Sequence, residues 1–443
     1  MRPKNPYSAR WRQTQAEYNK ATRRQYIRRN LVVSAAVLIC LIGGLLAVYF
    51  VAASLSGPYL QDSPVHAEKQ ANEAARVDSF SRPALMNFLA DAALLPDGLS
   101  GNLVWEKDSA RFRIITTINS KLQKYTLRLL RRSMTLQSAV VVLDPYDGRV
   151  LVLASRDKNG NRDNLCLMAD YPAASLFKIV SAAAALETAG YSPGKSLFFN
   201  GGRHTLYKYQ LEESKGRYSM ATTFRKAFAA SNNSVFGKIG IYDLGQQTLV
   251  DYAERFRFNQ QIPFDLPVET STISVPDDDF GLAEIASGFN KDTLLSPLHA
   301  ALLATVAVNG GHMPKPRLVN TVTEEMNEIV YQSYRSDLPS SVSEKTAAAI
   351  SLMMQDAVRY GTSRKTFRKL RRHRLFKDLD FGAKTGTIND QKDQHKIDWM
   401  TAFAVNPAQG RGICVGVLAV HGEKLGTRSS ELARAIIDYH FKS

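Results

Sequence analysis

Residues 31–55 read LVVSAAVLICLIGGLLAVYFVAASL, twenty-five positions without a charge. As a helix this run rises about 37 Å, enough to cross a bilayer with some tilt, and is expected to be one transmembrane helix. Residues 56–83 are polar with scattered Gly and Pro and read as a spacer with room for one helix, and 56–110 as a whole are expected to form a juxtamembrane spacer. From 111 the pattern changes. RFRIITTINS (111–120) alternates like a strand, residues 121–134 have helical period, and residues 138–155 form two apolar strands around a Pro-Tyr-Asp-Gly turn. Residues 172 to about 189 are rich in Ala and Leu and apolar almost all round, which predicts a buried helix. Helical regions follow at 222–245 and 295–311, then strands at 380–387, 399–407 and 412–422, and a closing helix from 429. Strands at both ends enclosing helices predict one large domain from 111 to 443, of fold class α/β (α+β).

Charge sharpens this division. The chain of 443 residues carries a formal +16, yet residues 1–30 hold nine Lys or Arg against Glu17 alone, a local +8. Such a tail before an apolar span keeps its own end in the cytoplasm. The expectation is a single-pass protein of the bacterial cytoplasmic (inner) membrane, N-terminus inside and domain outside, with no nucleic-acid role for the tail. A second basic block, residues 364–380, has eight Lys or Arg against Asp378 and Asp380. It reads either as a solvated surface segment or as a dock for an anionic partner such as lipid headgroups, a lipid-linked precursor or an acidic protein. Three cysteines make no disulfide framework, because Cys40 lies in the apolar run and Cys166 and Cys414 sit among apolar neighbours.

The spacing Ser-x-x-Lys occurs three times, at Ser155/Lys158, Ser175/Lys178 and Ser192/Lys195. A serine hydroxyl needs a base within hydrogen-bond reach, and three residues along a helix provides one. Ser155 is expected in a polar loop and Ser192 precedes Pro193-Gly194, so only Ser175 opens a helix. Its first turn offers free N–H groups to an oxyanion, and an apolar wall would lower the Lys178 pKa. Two further segments qualify as partners: Ser231-Asn232-Asn233 at a helix head, and Lys384-Thr385-Gly386-Thr387, where a strand offers an ammonium, two hydroxyls on one face and a glycine permitting close approach.

Ser-x-x-Lys, Ser-x-Asn and Lys-Thr-Gly in this order resemble the signature set of penicillin-binding proteins and serine β-lactamases. ITTINSKLQ, AVVVLDPYDGRVLVLAS, LLSPLHAALLATVAVNGG and AVRYGTS are similar to further transpeptidase-domain segments, so the likeness covers roughly residues 112–440. It departs at Ala173-Ala174, where Pro-Gly is usual, and in a longer segment before Lys384. The resemblance implies a central, mostly antiparallel sheet flanked by helices, plus an all-helical lobe. It also implies a monofunctional peptidoglycan D,D-transpeptidase that crosslinks stem peptides in cell wall synthesis, is acylated by β-lactams, and works beside a separate glycosyltransferase. Ser175 would be the nucleophile, Lys178 its base, and Ser231 a proton relay held by Lys178 and Lys384. Asn233 would bind the peptide amide, Lys384, Thr385 and Thr387 the terminal carboxylate, with Gly386 beside them. N–H groups of Ser175 and Thr387 would form the oxyanion hole. No cofactor or metal is required, and His204, His299, His373 and His395 read as surface or packing residues. The alternatives are a D,D-carboxypeptidase or endopeptidase, a β-lactamase, and a non-enzymatic β-lactam sensor or scaffold.

Overall fold

The computed structural model describes residues 80–443, apart from 95–97, 108–109, 161–162 and 325–326. The expected transmembrane helix and basic tail fall outside these residues. Among the described residues, no helix is long and apolar enough to cross a membrane.

Helix α1 (Arg82–Leu94) precedes strands β1 (Asn102–Lys107) and β2 (Ala110–Thr116), which pair antiparallel. Leu85, Leu89, Leu99 and Trp105 are buried in the main core, so the folded body begins upstream of the expected boundary at 111. In α1 only Arg82, Asn87 and Asp91 are polar, so no helical period stands out in the sequence. Strand β2 stands apart from the hairpin that follows it. It belongs to a separate four-stranded antiparallel sheet, ordered β1-β2-β9-β10, with β9 at Val319–Glu324 and β10 at Ile329–Gln332.

Helix α2 (Ser120–Arg131) starts where the Asn119 side chain accepts the Leu122 N–H at 3.1 Å, a side-chain N-cap. Next come β3 (Gln137–Leu143) and β4 (Val150–Asp157), the predicted hairpin. They join β11 (Asp380–Asn389), β12 (Lys396–Asn406) and β13 (Arg411–His421) in a five-stranded antiparallel sheet ordered β11-β12-β13-β3-β4. Successive residues of this sheet enter two different cores. Ala139, Val141 and Leu143 face one; Val140 and Val142 face the other. Burial on both faces explains why the sequence shows continuous apolar runs here instead of alternation. Helices α2 and α11 (Ser429–Lys442) cover one face, and α8 (Pro297–Val306) covers the other. At Gly416 a side chain would come within 2.4 Å of the Pro297 carbonyl, so α8 lies directly on the β13 backbone.

Between β4 and β11 the chain builds the helical lobe. Short strand β5 (Tyr171–Pro172) pairs with β8 (Leu294–Leu295), and β6 (Ser196–Phe199) with β7 (Met220–Thr223). Around them stand α3 (Lys178–Thr188), α4 (Phe224–Ala229), α5 (Asn233–Ile239), α6 (Gly245–Arg255) and α7 (Asp279–Ser287). Helix α9 (Glu344–Arg359) then leads into α10 (Arg364–Arg372), just ahead of β11. Cys166 and Cys414 are buried free thiols.

Candidate active site

Of the three Ser-x-x-Lys pairs, Ser155 lies in β4 and not in a loop, and Ser192 lies outside any helix. Ser175 alone opens a helix, but not as an α-helix from Pro172. Tyr171 and Pro172 are strand, and the Trp399 indole of β12 donates to the Pro172 carbonyl at 2.8 Å. Residues 174–177 then make a 3-10 turn that runs into α3. The break comes at Ala174, whose φ of +49° is left-handed, a conformation costing an alanine about 1–2 kcal/mol. This is the position where the resemblance leads one to expect glycine. Gly288, also left-handed, lies so near that any side chain there would meet the Ala174 carbonyl at 2.0 Å.

The turn leaves Ser175 half-buried and Lys178 fully buried. Lys178 Nζ is 2.8 Å from Ser175 Oγ and 2.7 Å from Asn233 Oδ1, and it also donates to the Ser287 carbonyl. That carbonyl belongs to the last turn of α7, where helices leave acceptors unpaired. Burial, and secondarily the Lys384 charge, holds the Lys178 amine well below the ordinary lysine range. A neutral amine has two N–H groups and one lone pair. The Asn233 and Ser287 oxygens carry no hydrogen and can only accept, so they take both N–H groups. The lone pair is then left for the Ser175 hydroxyl, which is the arrangement a general base needs.

Ser231 has a left-handed φ of +53°, and this reversal brings Ser231 and Asn233 to the same cleft. The intervening Asn232 side chain accepts from the Val235 N–H and caps α5. Lys384 on β11 is also wholly buried, with Nζ 2.9 Å from Ser231 Oγ and 2.8 Å from the Thr385 carbonyl. Burial lowers its pKa to about 7. Thr385 Oγ1 bonds Thr362 Oγ1 at 2.8 Å, whereas Thr387 is exposed at the strand end. A side chain at Gly386 would come within 3.3 Å of the Ser175 nitrogen, so β11 and the nucleophile turn touch backbone to backbone.

Two expectations change. Of the two lysines it is Lys384 that holds the Ser231 hydroxyl, because Lys178 is directed to Asn233. The Asn233 amide is also committed inward, its Nδ2 donating to the His204 carbonyl at 3.0 Å, so in this state it positions the lysine before it meets any substrate. His204 is the site residue that sequence reasoning missed. Its imidazole bonds the Ser231 backbone, and partial desolvation, with Lys178 second, lowers its pKa. Nothing in its local sequence marks it, since the contact spans the helical lobe. His299 is buried, bonded to the Phe256 carbonyl, and its pKa falls to about 4 through burial. It packs, as expected.

Scaffold and cluster together define the serine–lysine class of active sites. Within it, the chain belongs to the penicillin binding protein transpeptidase domain family, whose model matches residues 138–438. It is 25% identical over 378 residues to the peptidoglycan D,D-transpeptidase PbpA of Mycobacterium tuberculosis, covering 75% of this chain and 73% of that protein. It is 26% identical over 269 residues to stage V sporulation protein D of Bacillus subtilis, covering 57% of this chain but 40% of that longer protein. The crystal structure of the M. tuberculosis protein superimposes with a TM-score of 0.60 at 25% identity, over 73% of this chain and 80% of that one. Its imipenem acyl-enzyme complex gives 0.61, over 74% and 79%.

Proposed function

We propose that this protein is a penicillin-binding peptidoglycan D,D-transpeptidase acting through a Ser175 acyl-enzyme. The observation that carries the reading is the Lys178–Ser175 contact, in which a wholly buried amine lies 2.8 Å from a half-buried hydroxyl and its other two partners, the Asn233 and Ser287 oxygens, can only accept. Ser175 Oγ attacks the carbonyl of the penultimate D-alanine and gives its proton to Lys178. The C–N bond then breaks, and the leaving amine takes a proton delivered through Ser231 from the Lys384 side. Lys384, Thr385 and Thr387 receive the substrate's terminal carboxylate, a task suited to a cation flanked by hydroxyls. The Ser175 and Thr387 N–H groups stabilise the oxyanion. In the second half-reaction an amine from another stem peptide attacks the ester. A C–N bond forms and the C–Oγ bond breaks, the amine's surplus proton passing back through Ser231 to the Lys384 side while Lys178 returns its proton to Ser175 Oγ.

Anchoring by residues 31–55 with the domain outside the membrane, and work beside a separate glycosyltransferase, complete the proposal. The uncharged run and the basic tail before it support the anchor. The test is labelling with fluorescent penicillin. Wild type should be labelled and Ser175→Ala should not; a labelled mutant would falsify the assignment. Muropeptide analysis after deletion separates the two D,D activities, because loss of crosslinking lowers dimers whereas loss of a carboxypeptidase enriches pentapeptides.

A further inference from the structure

Beside the catalytic cleft, beyond the Ser231–Asn233 turn, lies a second cavity of about 540 Å³. Asn232, placed between Ser231 and Asn233, forms part of its wall. So does Gly361, next to the Thr362 that bonds Thr385. The cavity therefore begins where the carboxylate-holding end of the cleft stops. Its room comes from small residues, since Ala227, Ala229 and Ala230 line it where larger side chains would fill it.

Its chemistry is cationic and apolar together. Arg203 and Lys226 are exposed on its rim, and neither forms an ion pair among the described residues. The one carboxylate in the wall, Asp356, is buried and already spoken for by Arg225, Nη2 to Oδ1 at 2.8 Å. Phe199 and Met220 supply apolar sides, and Tyr360 stands 71% exposed at the mouth. The Arg203 guanidinium lies over the Phe199 ring at 5.9 Å, and a carboxylate entering here meets two cations with no ion pair among the described residues and no free anion.

Resting on the acyl-transfer reading, a reaction argument says what enters. By microscopic reversibility, the attacking amine occupies the place that the expelled residue left, beside Lys384 and Thr385. The remainder of the acceptor peptide must then leave the cleft at that end, past Thr362. We propose that the cavity is the acceptor-peptide site, and that Arg203 and Lys226 bind a carboxylate carried on that second peptide.

The experiment uses full-length protein and a D-alanyl thioester donor, and measures the ratio of aminolysis to hydrolysis of the acyl-enzyme. That ratio does not depend on how much acyl-enzyme forms. The acceptor probe is the tripeptide L-Ala-γ-D-Glu-meso-diaminopimelate, with its glutamate carboxylate either free or amidated. Wild type should favour the free acid. The double variant Arg203→Ala/Lys226→Ala should lower the ratio with the free acid by about tenfold, in line with loss of partly solvated charge contacts, and leave the ratio with the amide in place. Ala221→Trp, an exposed lining position, should lower it with both acceptors. A ratio blind to Arg203 and Lys226, or one that falls equally for acid and amide, overturns the acceptor site while leaving the acyl-enzyme intact. Failure of penicillin to acylate Ser175 in the wild type would instead bring down the acyl-transfer reading, and the acceptor site with it.

Discussion

Lys384 follows the cations of α10 closely in sequence, and with Lys178 it is their opposite in environment. Lys178 and Lys384 are wholly buried, each against hydroxyl, amide or carbonyl oxygens, with their positive charge suppressed. On α10, Arg364, Lys365, Arg368, Lys369, Arg371 and Arg372 are exposed, while Phe367 and Leu370 are its buried residues. Net charge counts the second group and says nothing of the first. Chemistry sits where solvent has been removed from an amine, because desolvation converts a cation into a base. Solvated cations contribute a field and little stability.

The largest way to break this contrast is Lys178→Met. It keeps the buried volume but removes the lone pair, and penicillin acylation should fall about 10³-fold, within the range for losing a positioned base. Stopped-flow labelling checks it; a loss below tenfold would return the base role to another group.

Next in size is the pH dependence of the Lys384 site. Its folded pKa of about 7 lies below its unfolded value, so burying it is costly at low pH and the cost disappears as pH rises toward the unfolded pKa. Lys384→Met should therefore be the more stable protein at pH 7, by on the order of a few kcal/mol, with the gap closing by pH 10 in urea unfolding. In the wild type, affinity for a carboxylate-bearing β-lactam should weaken as pH rises through about 7, because the ammonium that holds the carboxylate is lost.

A smaller effect tests the backbone beneath the nucleophile. Ala174→Gly relieves a left-handed φ but adds freedom to the unfolded chain, and the balance should stabilise by about 0.5–1 kcal/mol. The midpoint of thermal unfolding should rise. Smallest of all, replacing Arg368, Lys369, Arg371 and Arg372 together by Gln should change stability by less than about 0.5 kcal/mol and leave acylation by soluble penicillin within twofold. A larger loss would show that α10 shapes the cleft.

Much of the site was legible because its chemistry is local. Ser175 and Lys178 are one turn apart, Ser231 and Asn233 share a turn, and Lys384 through Thr387 share a strand. Each of these relations has a fixed spacing that a sequence can carry. The hairpin of β3 and β4 was legible for the same reason. What escaped is non-local. That Asn233 faces Lys178, that the Ser287 carbonyl receives a lysine proton, and that His204 meets Ser231 all depend on how α3, α5 and α7 pack together. The reach of the fold upstream to α1 was missed because residues 83–94 are apolar almost all round, with Asn87 and Asp91 the exceptions, so no amphipathic period marks Leu85 and Leu89. Ala174 was noticed as an oddity, but only the backbone reveals the φ that makes glycine the easier residue there.

One consequence follows from the place of β11 at the sheet margin. Among the described residues no sixth strand lies beside its outer hydrogen-bonding row, and an unpaired row of N–H and C=O groups is a template for another extended chain. A ligand aligned there is recognised by its main chain, so side-chain identity matters less than straightness. Tolerance of varied peptide sequences and intolerance of a single N-methylated amide are then two faces of one property, the grammar of a strand waiting for its neighbour.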